Sequence, residues 1–161
     1  MTRNQLYAIK LAYMLEEGMR CEIGYDSLYD SVRFWYEFKP EKPCVYLIKE
    51  DFTEEQAEHE YKKCVFIIKK MKRNLIFKNP LLFFNKKKMT RNQKLLIKLI
   101  SRVEKGMDIG MTYESQTDRI EFNAYATMAE CEPQYIEENF TDEQAERRYK
   151  RFVSIINYIY D

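Results

Sequence analysis

The sequence predicts an α+β protein made by tandem duplication of one α-β-β-β-α unit, in which two helices cover a three-stranded antiparallel sheet. The first observation is a repeat with a constant offset of 88 residues: Met-Thr-Arg-Asn-Gln at 1–5 recurs at 89–93, and Phe-Thr-Glu-Glu-Gln-Ala-Glu at 52–58 recurs at 140–146 with one Glu changed to Asp. The second is that the apolar spacing inside each copy changes from a helical period to a period of two. We therefore divide the chain into repeats at 1–72 and 89–161 with a connecting segment at 73–88, and expect a pseudo-twofold axis between the repeats.

Each copy is expected to begin and end with a helix that starts at a capping box. In the first copy Thr2 pairs with Gln5 and Thr53 pairs with Gln56, and both pairs recur 88 residues later. Behind each box, apolar residues follow at i, i+3, i+4 and i+7, so each helix buries one face. Gly18 and Gly106 are placed where a left-handed C-cap would end the first helix of each copy.

The strands are predicted from side chains that alternate between the core side and the opposite side. Ser31–Lys39 alternates, with Val32, Phe34, Tyr36 and Phe38 expected on the core side. Shorter strands are expected near 20–25 and 44–49, and near 108–114 and 133–138 in the second copy. Because the helices must bury their apolar stripes, we expect them to cover one face of the sheet.

The residues that most catalytic and metal sites need are scarce. The sequence contains no P-loop, GxGxxG, HExxH or GxSxG motif, and the one histidine, His59, is replaced by Arg147 in the second copy. The four cysteines never form a CxxC pair. We expect no catalytic residues, no metal and no cofactor. No apolar run could span a bilayer and no signal-peptide pattern is seen, so we expect a cytoplasmic protein without membrane contact.

Charge is distributed unevenly along the chain. Residues 1–60 carry a net charge of −6 and residues 104–161 carry −7, whereas 61–103 contain 14 Lys or Arg and no carboxylate. The basic stretch could hold a phosphate backbone, dock an acidic protein or hold the acidic halves together. Helix polarity alone could account for Lys69, Lys70, Lys72 and Arg73. The candidate partner-binding cations are Lys69, Lys70, Lys72, Arg73, Lys86, Lys87 and Lys88.

Three residues on the non-core side of the central strand form a second candidate. Arg33, Trp35 and Glu37 stand where the second copy has Glu121, Asn123 and Tyr125. A tryptophan beside an arginine on an open sheet face is typical of an anchor in a protein interface. The alternative is that Trp35 packs against the other repeat or the apolar connecting segment.

Two resemblances bear on function. The order helix, three strands, helix resembles the double-stranded-RNA-binding domain, but that family's lysine cluster at the start of its second helix is replaced by Thr-Glu-Glu-Gln-Ala-Glu at 53–58, which would oppose a phosphate backbone. In general character, a short Tyr-, Lys- and Asn-rich chain with opposed charge patches resembles the phage-encoded inhibitors of host defence, anti-CRISPR proteins among them.

The second resemblance implies a function. It suggests a non-enzymatic inhibitor that docks on a host nuclease or nucleoprotein, for example a Cas nuclease, in the host cytoplasm, as a monomer or homodimer. The acidic halves fit contact with a basic protein such as the nucleic-acid channel of a nuclease. The alternatives are a nucleic-acid-binding regulator that uses the basic segment 61–103, and an enzyme of unrecognised type.

Overall fold

The computed structural model describes residues 1–16, 18–37, 43–78, 89–124 and 133–160, with Lys78 and Tyr160 described by their backbone only. This part of the chain is α+β, as the sequence predicts. Its elements in chain order are α1 (Arg3–Met14), β1 (Cys21–Asp26), β2 (Ser31–Glu37), β3 (Pro43–Ile48), α2 (Glu54–Lys78), α3 (Arg91–Ile100), β4 (Ile109–Glu114), β5 (Arg119–Ala124), β6 (Gln134–Ile136) and α4 (Asp142–Tyr160).

The six strands form one antiparallel sheet in the order β3-β2-β1-β4-β5-β6. In place of the separate three-stranded sheet expected in each half, β1 and β4 pair at the centre, with Ile23 opposite Tyr113. The physical reason is the edge of a three-stranded meander. β1 has only β2 beside it in its own half, so its free backbone groups would be unpaired; pairing with β4 satisfies both edges at once.

The core lies on one face of this sheet, beneath the helices. The strand residues in the core all come from that face, and the largest of them include Tyr25, Phe34, Tyr113 and Phe122, each at most 2% exposed. The opposite side chains of β2 and β5 are half-buried or exposed. The alternation read from the sequence therefore separates a buried face from an open one.

The capping boxes are confirmed at the start of all four helices. The backbone N–H of Thr2 donates to Gln5 Oε1 at 2.7 Å, and the N–H of Gln5 donates to Thr2 Oγ1 at 3.0 Å. The same reciprocal bonds join Thr53 to Gln56, and their counterparts recur at positions 90 and 141. These short-range pairs satisfy N–H groups that the first turn of a helix leaves free.

The predicted ends of the first helices were wrong. Gly18 and Gly106 do have left-handed backbones, with φ of +83° and +94°, but α1 already ends at Met14 and α3 at Ile100. Leu15 leaves the helix with φ −67° and ψ 150° and is fully buried. The extended backbone at Leu15 therefore ends α1 while its side chain enters the core, and Gly18 forms the later turn into β1.

Two other expectations concern the connecting segment and the end of the central strand. α2 continues through Lys78, so residues 73–78 of the expected connecting segment are helical. Residues 79–88, which were expected to pack across both halves, lie outside the described residues. The expected end of the central strand of the first half, at Phe38–Lys39, also lies outside them.

Candidate functional site

The candidate site is the open face, defined as the strand side chains that point away from the helices. Strand register places these residues in rows that run across the sheet. One row crosses all six strands and consists of Leu47, Arg33, Gly24, Thr112, Glu121 and Tyr135, and the next consists of Val45, Trp35, Glu22, Glu114 and Arg119.

Acidic side chains dominate the middle of the open face. Glu22 on β1 lies directly opposite Glu114 on β4, so two like charges meet where the halves join. Each has an arginine from its own half: Arg33 Nη2 is 3.7 Å from Glu22 Oε1, and Arg119 Nη2 is 3.6 Å from Glu114 Oε2. Across the six strands the face carries five carboxylates and two guanidiniums, the carboxylates being Glu22, Asp26, Glu37, Glu114 and Glu121.

Burial and repulsion together perturb Glu22. Desolvation is the main cause of its raised pKa; Glu114 and Glu121 raise it further, while Arg33 opposes them. The carboxylate is thus held in a less favourable setting than a solvated one. A cation arriving from a partner would relieve that repulsion and stabilise the charged form.

The centre of the open face is hollow because glycines occupy it. Gly24 and Gly110 lie on the central strands, and a shallow concavity of about 330 Å³ is lined by these glycines together with Arg33, Thr112 and Glu121. A Cβ atom at Gly24 would lie 3.5 Å from both Arg33 Nε and Thr112 Oγ1, which is ordinary contact. A larger side chain there would fill the hollow.

Trp35 lies on β2, in the part of the open face that belongs to the first half. It is half-buried on β2 and has Glu22 and Val45 as its cross-strand neighbours, so those neighbours belong to its own half. Val45 and Leu47 are 51% and 43% exposed. Arg33 completes the group, and Glu37 Oε2 is 3.7 Å from Arg20 Nη1. The structure therefore brings Arg33, Trp35 and Glu37 together on one accessible face with two exposed aliphatic side chains.

The basic candidates lie on a different surface. Lys69, Lys70, Lys72 and Arg73 are on α2, on the helix side of the sheet. Lys72 Nζ hydrogen-bonds the Glu16 carboxylate after α1, so it ties two elements together. The side chains of Lys69, Lys70 and Arg73 are exposed. Lys86, Lys87 and Lys88 lie outside the described residues. The candidates thus fall on two opposite layers of the molecule.

The two halves can be compared position by position through the offset of 88. On the buried face they keep apolar character, as in Tyr25 and Tyr113 or Phe34 and Phe122. On the open face they differ at all six aligned positions of β1/β4 and β2/β5. The differing pairs are Glu22/Gly110, Gly24/Thr112, Asp26/Glu114, Ser31/Arg119, Arg33/Glu121 and Trp35/Asn123. Only the β2/β5 part of this divergence was predicted from the sequence, although the offset of 88 applied to β1 gives the rest.

The shared Thr-Arg-Asn-Gln motif is a structural device. Thr2 Oγ1 donates to Asp30 Oδ1 at 2.6 Å, and Asn4 donates to the Asp30 carbonyl, which fixes α1 against the turn between β1 and β2. The Arg3 guanidinium donates to the Phe52 carbonyl at 3.0 Å, which fixes α1 to the start of α2. The same contacts recur in the second half.

Glutamine in this motif joins the two halves. Gln5 Nε2 donates to the carbonyl of Ile100, the last residue of α3, at 3.1 Å and to that of Val103 at 2.6 Å. Gln93 Nε2 reciprocally donates to the carbonyls of Ala12 and Leu15 at 3.1 and 2.8 Å. Each half therefore donates hydrogen bonds to carbonyl groups at the helix end of the other half.

The thiols of the core have little nucleophilic character. Burial raises the pKa of Cys21 and of Cys64 to about 12, so both are protonated at neutral pH. Cys64 is fully buried on α2. Among the residues that the structure describes, no group of three or more His, Cys, Asp or Glu is placed to hold a metal ion. None of the described helices is long and apolar enough to cross a membrane.

The chain matches no family model, and comparisons with curated proteins and with solved structures return no similar protein.

Proposed function

We propose that this protein is a non-enzymatic inhibitor that docks on a basic surface of a host nuclease or nucleoprotein through its open face. The observation that carries the proposal is the apolar group of Trp35, Val45 and Leu47 beside an acidic centre. An antiparallel sheet face that meets only water is ordinarily polar. A tryptophan with exposed aliphatic neighbours and a charged surround has instead the composition of an interface core and its rim.

The charge of the open face indicates a partner with a basic surface. Five carboxylates against two guanidiniums give the open face an acidic excess, and Arg119 is already engaged by Glu114 and by the ring of Tyr135, 5.0 Å away. A basic protein surface, such as the groove in which a nuclease holds nucleic acid, complements this face. Complementarity of this kind mainly speeds encounter and excludes wrong partners.

The divergence between the halves favours one asymmetric partner. A function with twofold symmetry would require the same open-face side chains in both halves. Trp35 and Asn123 occupy equivalent strand positions and cannot make the same contact. The first half of the inhibitor would therefore anchor the partner, and the second half would add polar contacts. The inhibitor would act in the cytoplasm as a monomer or homodimer.

We infer that the internal symmetry was inherited from a homodimer. The halves arose by tandem duplication of an α-β-β-β-α unit that once formed a homodimer through the surface now buried between β1 and β4. The reciprocal bonds of Gln5 and Gln93 support this, because an isologous interface makes every contact twice. After fusion each open face could change independently.

The test uses purified protein and guide-loaded Cas nucleases. We expect the chain to bind at least one of them and to inhibit its DNA cleavage, with an association rate that falls as salt rises. Glu121→Lys on the open face should slow association about tenfold, whereas Glu143→Lys, the same charge change on the exposed start of α4, should change it less than about twofold. Equal effects of the two substitutions, or no binding to any of the nucleases, would contradict the proposal.

A further inference from the structure

One side of α2 exposes two phenylalanines among three cations. Lys62, Phe66, Lys69, Arg73 and Phe77 fall within an arc of about 80° at 100° per residue, over an axial length of about 22 Å. We call these five residues the α2 stripe. Phe66 is 67% exposed and Phe77 is 89% exposed, so neither ring is part of the core. Packing of the core therefore does not explain why phenylalanine occupies these two positions.

The helix dipole does not account for the cations of the stripe. Its influence is confined to the last turn of a helix. α2 ends at Lys78, so Lys69 and Arg73 lie more than one turn before its end. Lys62 forms an ion pair with Glu58 at 2.9 Å, yet its side chain remains 70% exposed. Lys69 and Arg73 are the two stripe cations that point to a ligand most directly.

The second half provides an internal comparison. α4 occupies the equivalent place in the fold and buries the equivalent side chains, including Phe152 where α2 has Cys64. At the positions equivalent to Phe66 and Lys69 it has Ser154 and Asn157. The fold therefore tolerates small polar residues there, so the ring of Phe66 and the charge of Lys69 are not required by the packing of this helix.

We propose that the α2 stripe binds single-stranded nucleic acid. Lys69 and Arg73 would contact phosphates, and bases would stack on the rings of Phe66 and Phe77, which are about 16 Å apart along the helix axis. Charge complementarity supports this ligand, because residues 61–78 of α2 contain seven Lys or Arg and no Asp or Glu. Cationic surfaces with interleaved aromatic rings are the usual means of holding unpaired bases.

Two features favour a single strand over other anionic partners. In a duplex the base faces are already stacked, so exposed phenylalanine rings would find nothing to cover. A helix that lies in a membrane surface inserts a broad apolar face, but the apolar side of α2, including Cys64 and Ile68, is occupied by the core. Only two apolar side chains of the stripe remain to enter a bilayer.

The experiment measures fluorescence anisotropy of labelled oligothymidylate with the full chain over a salt series. We expect binding with a log–log salt slope of about −1.4, from the two phosphate contacts of Lys69 and Arg73. Phe66→Ser, which introduces the residue of α4, should weaken binding at least about fivefold, because stacking on one ring is lost. Lys69→Glu combined with Arg73→Glu should weaken it further and flatten the salt slope.

Matched controls separate binding from folding. Lys150→Glu, at the α4 position equivalent to Lys62, should leave affinity unchanged, and circular dichroism should show that Phe66→Ser keeps the native helix content. Three outcomes would overturn the proposal: no binding to the oligonucleotide, equal affinity for duplex DNA with no effect of Phe66→Ser, or binding to vesicles containing anionic lipid but not to the oligonucleotide. Trp35 lies on the opposite layer, so its substitution tests the open face without altering this result.

Discussion

Gln5 shows how much one side chain can do in this fold. Its Oε1 accepts from the Thr2 N–H at the start of α1, while its Nε2 donates to the Ile100 and Val103 carbonyls of the other half. It is only 2% exposed. The sequence predicted the capping role because that role depends on residues three apart. The link between the halves could not be predicted, because it depends on where the C-terminal end of α3 lies in space.

The double role of Gln5 predicts an unusually costly substitution. Gln5→Ala removes the capping interaction and leaves two buried carbonyls without this donor, so it should lower the free energy of unfolding by about 2–4 kcal/mol. Gln56→Ala removes the same kind of capping box from an exposed position and should cost about 1 kcal/mol or less. Urea unfolding of both variants measures the difference. Equal losses would show that the bonds between the halves contribute nothing.

Glu22 predicts a pH-dependent effect on stability. Its pKa is raised in the folded protein, mainly by burial and then by Glu114 and Glu121. The folded state therefore holds this proton more tightly than the unfolded chain does. Stability from this group is fully present below the ordinary glutamate pKa and is lost as pH rises through the higher folded value.

Glutamine at this position does not titrate. Glu22→Gln should therefore be more stable than the parent at pH 7, by less than about 1 kcal/mol, and this advantage should shrink as the pH falls toward 4. Urea unfolding at several pH values tests the sign. An advantage that grows on acidification would mean that Arg33 dominates the environment of Glu22.

At the scale of elements, starts were more predictable than ends. Capping boxes depend on side chains next to the helix, so all four starts followed from the sequence. The end of α1 depends on Leu15, which leaves helical geometry to enter a core that other elements build. The sequence correctly predicted a left-handed backbone at Gly18, but such a residue can belong to a turn several residues past the end of a helix.

β3 predicts weak self-association. It is an edge strand with no charged residue between Pro43 and Ile48, and Val45 and Leu47 are exposed on it. Natural edge strands usually carry a charge or are very short, as β6 is with three residues. Sedimentation velocity should therefore show a dimer fraction that rises with concentration and decreases in Val45→Lys. A chain that stays monomeric at every concentration would show that this edge is protected.

At the scale of the whole molecule, the central pairing was the part that the sequence could not reveal. Alternation in β1 and β4 specifies which side chains are buried but says nothing about which backbone lies alongside. For the same reason Trp35 could be assigned to the open face from its spacing, while the opposition of Glu22 and Glu114 required the register of β1 against β4. Local patterns predicted the faces, and long-range pairing decided their arrangement.

One sheet with reciprocal contacts predicts that the halves unfold together. Trp35 is the only tryptophan and reports on the first half, whereas far-ultraviolet circular dichroism reports on both. Denaturation followed by the two signals should give the same midpoint. Separate midpoints would mean that the β1–β4 pairing does not couple the halves.

The central claim is that two halves with the same buried face carry different open faces because one of them anchors a partner. The most direct measurement compares Trp35→Ala with Asn123→Ala, the equivalent position of the second half, for binding and inhibition of a guide-loaded nuclease. We expect Trp35→Ala to weaken binding about tenfold or more, as loss of an interface anchor does, and Asn123→Ala to change it less than about twofold. Equal affinities for the two variants would contradict it.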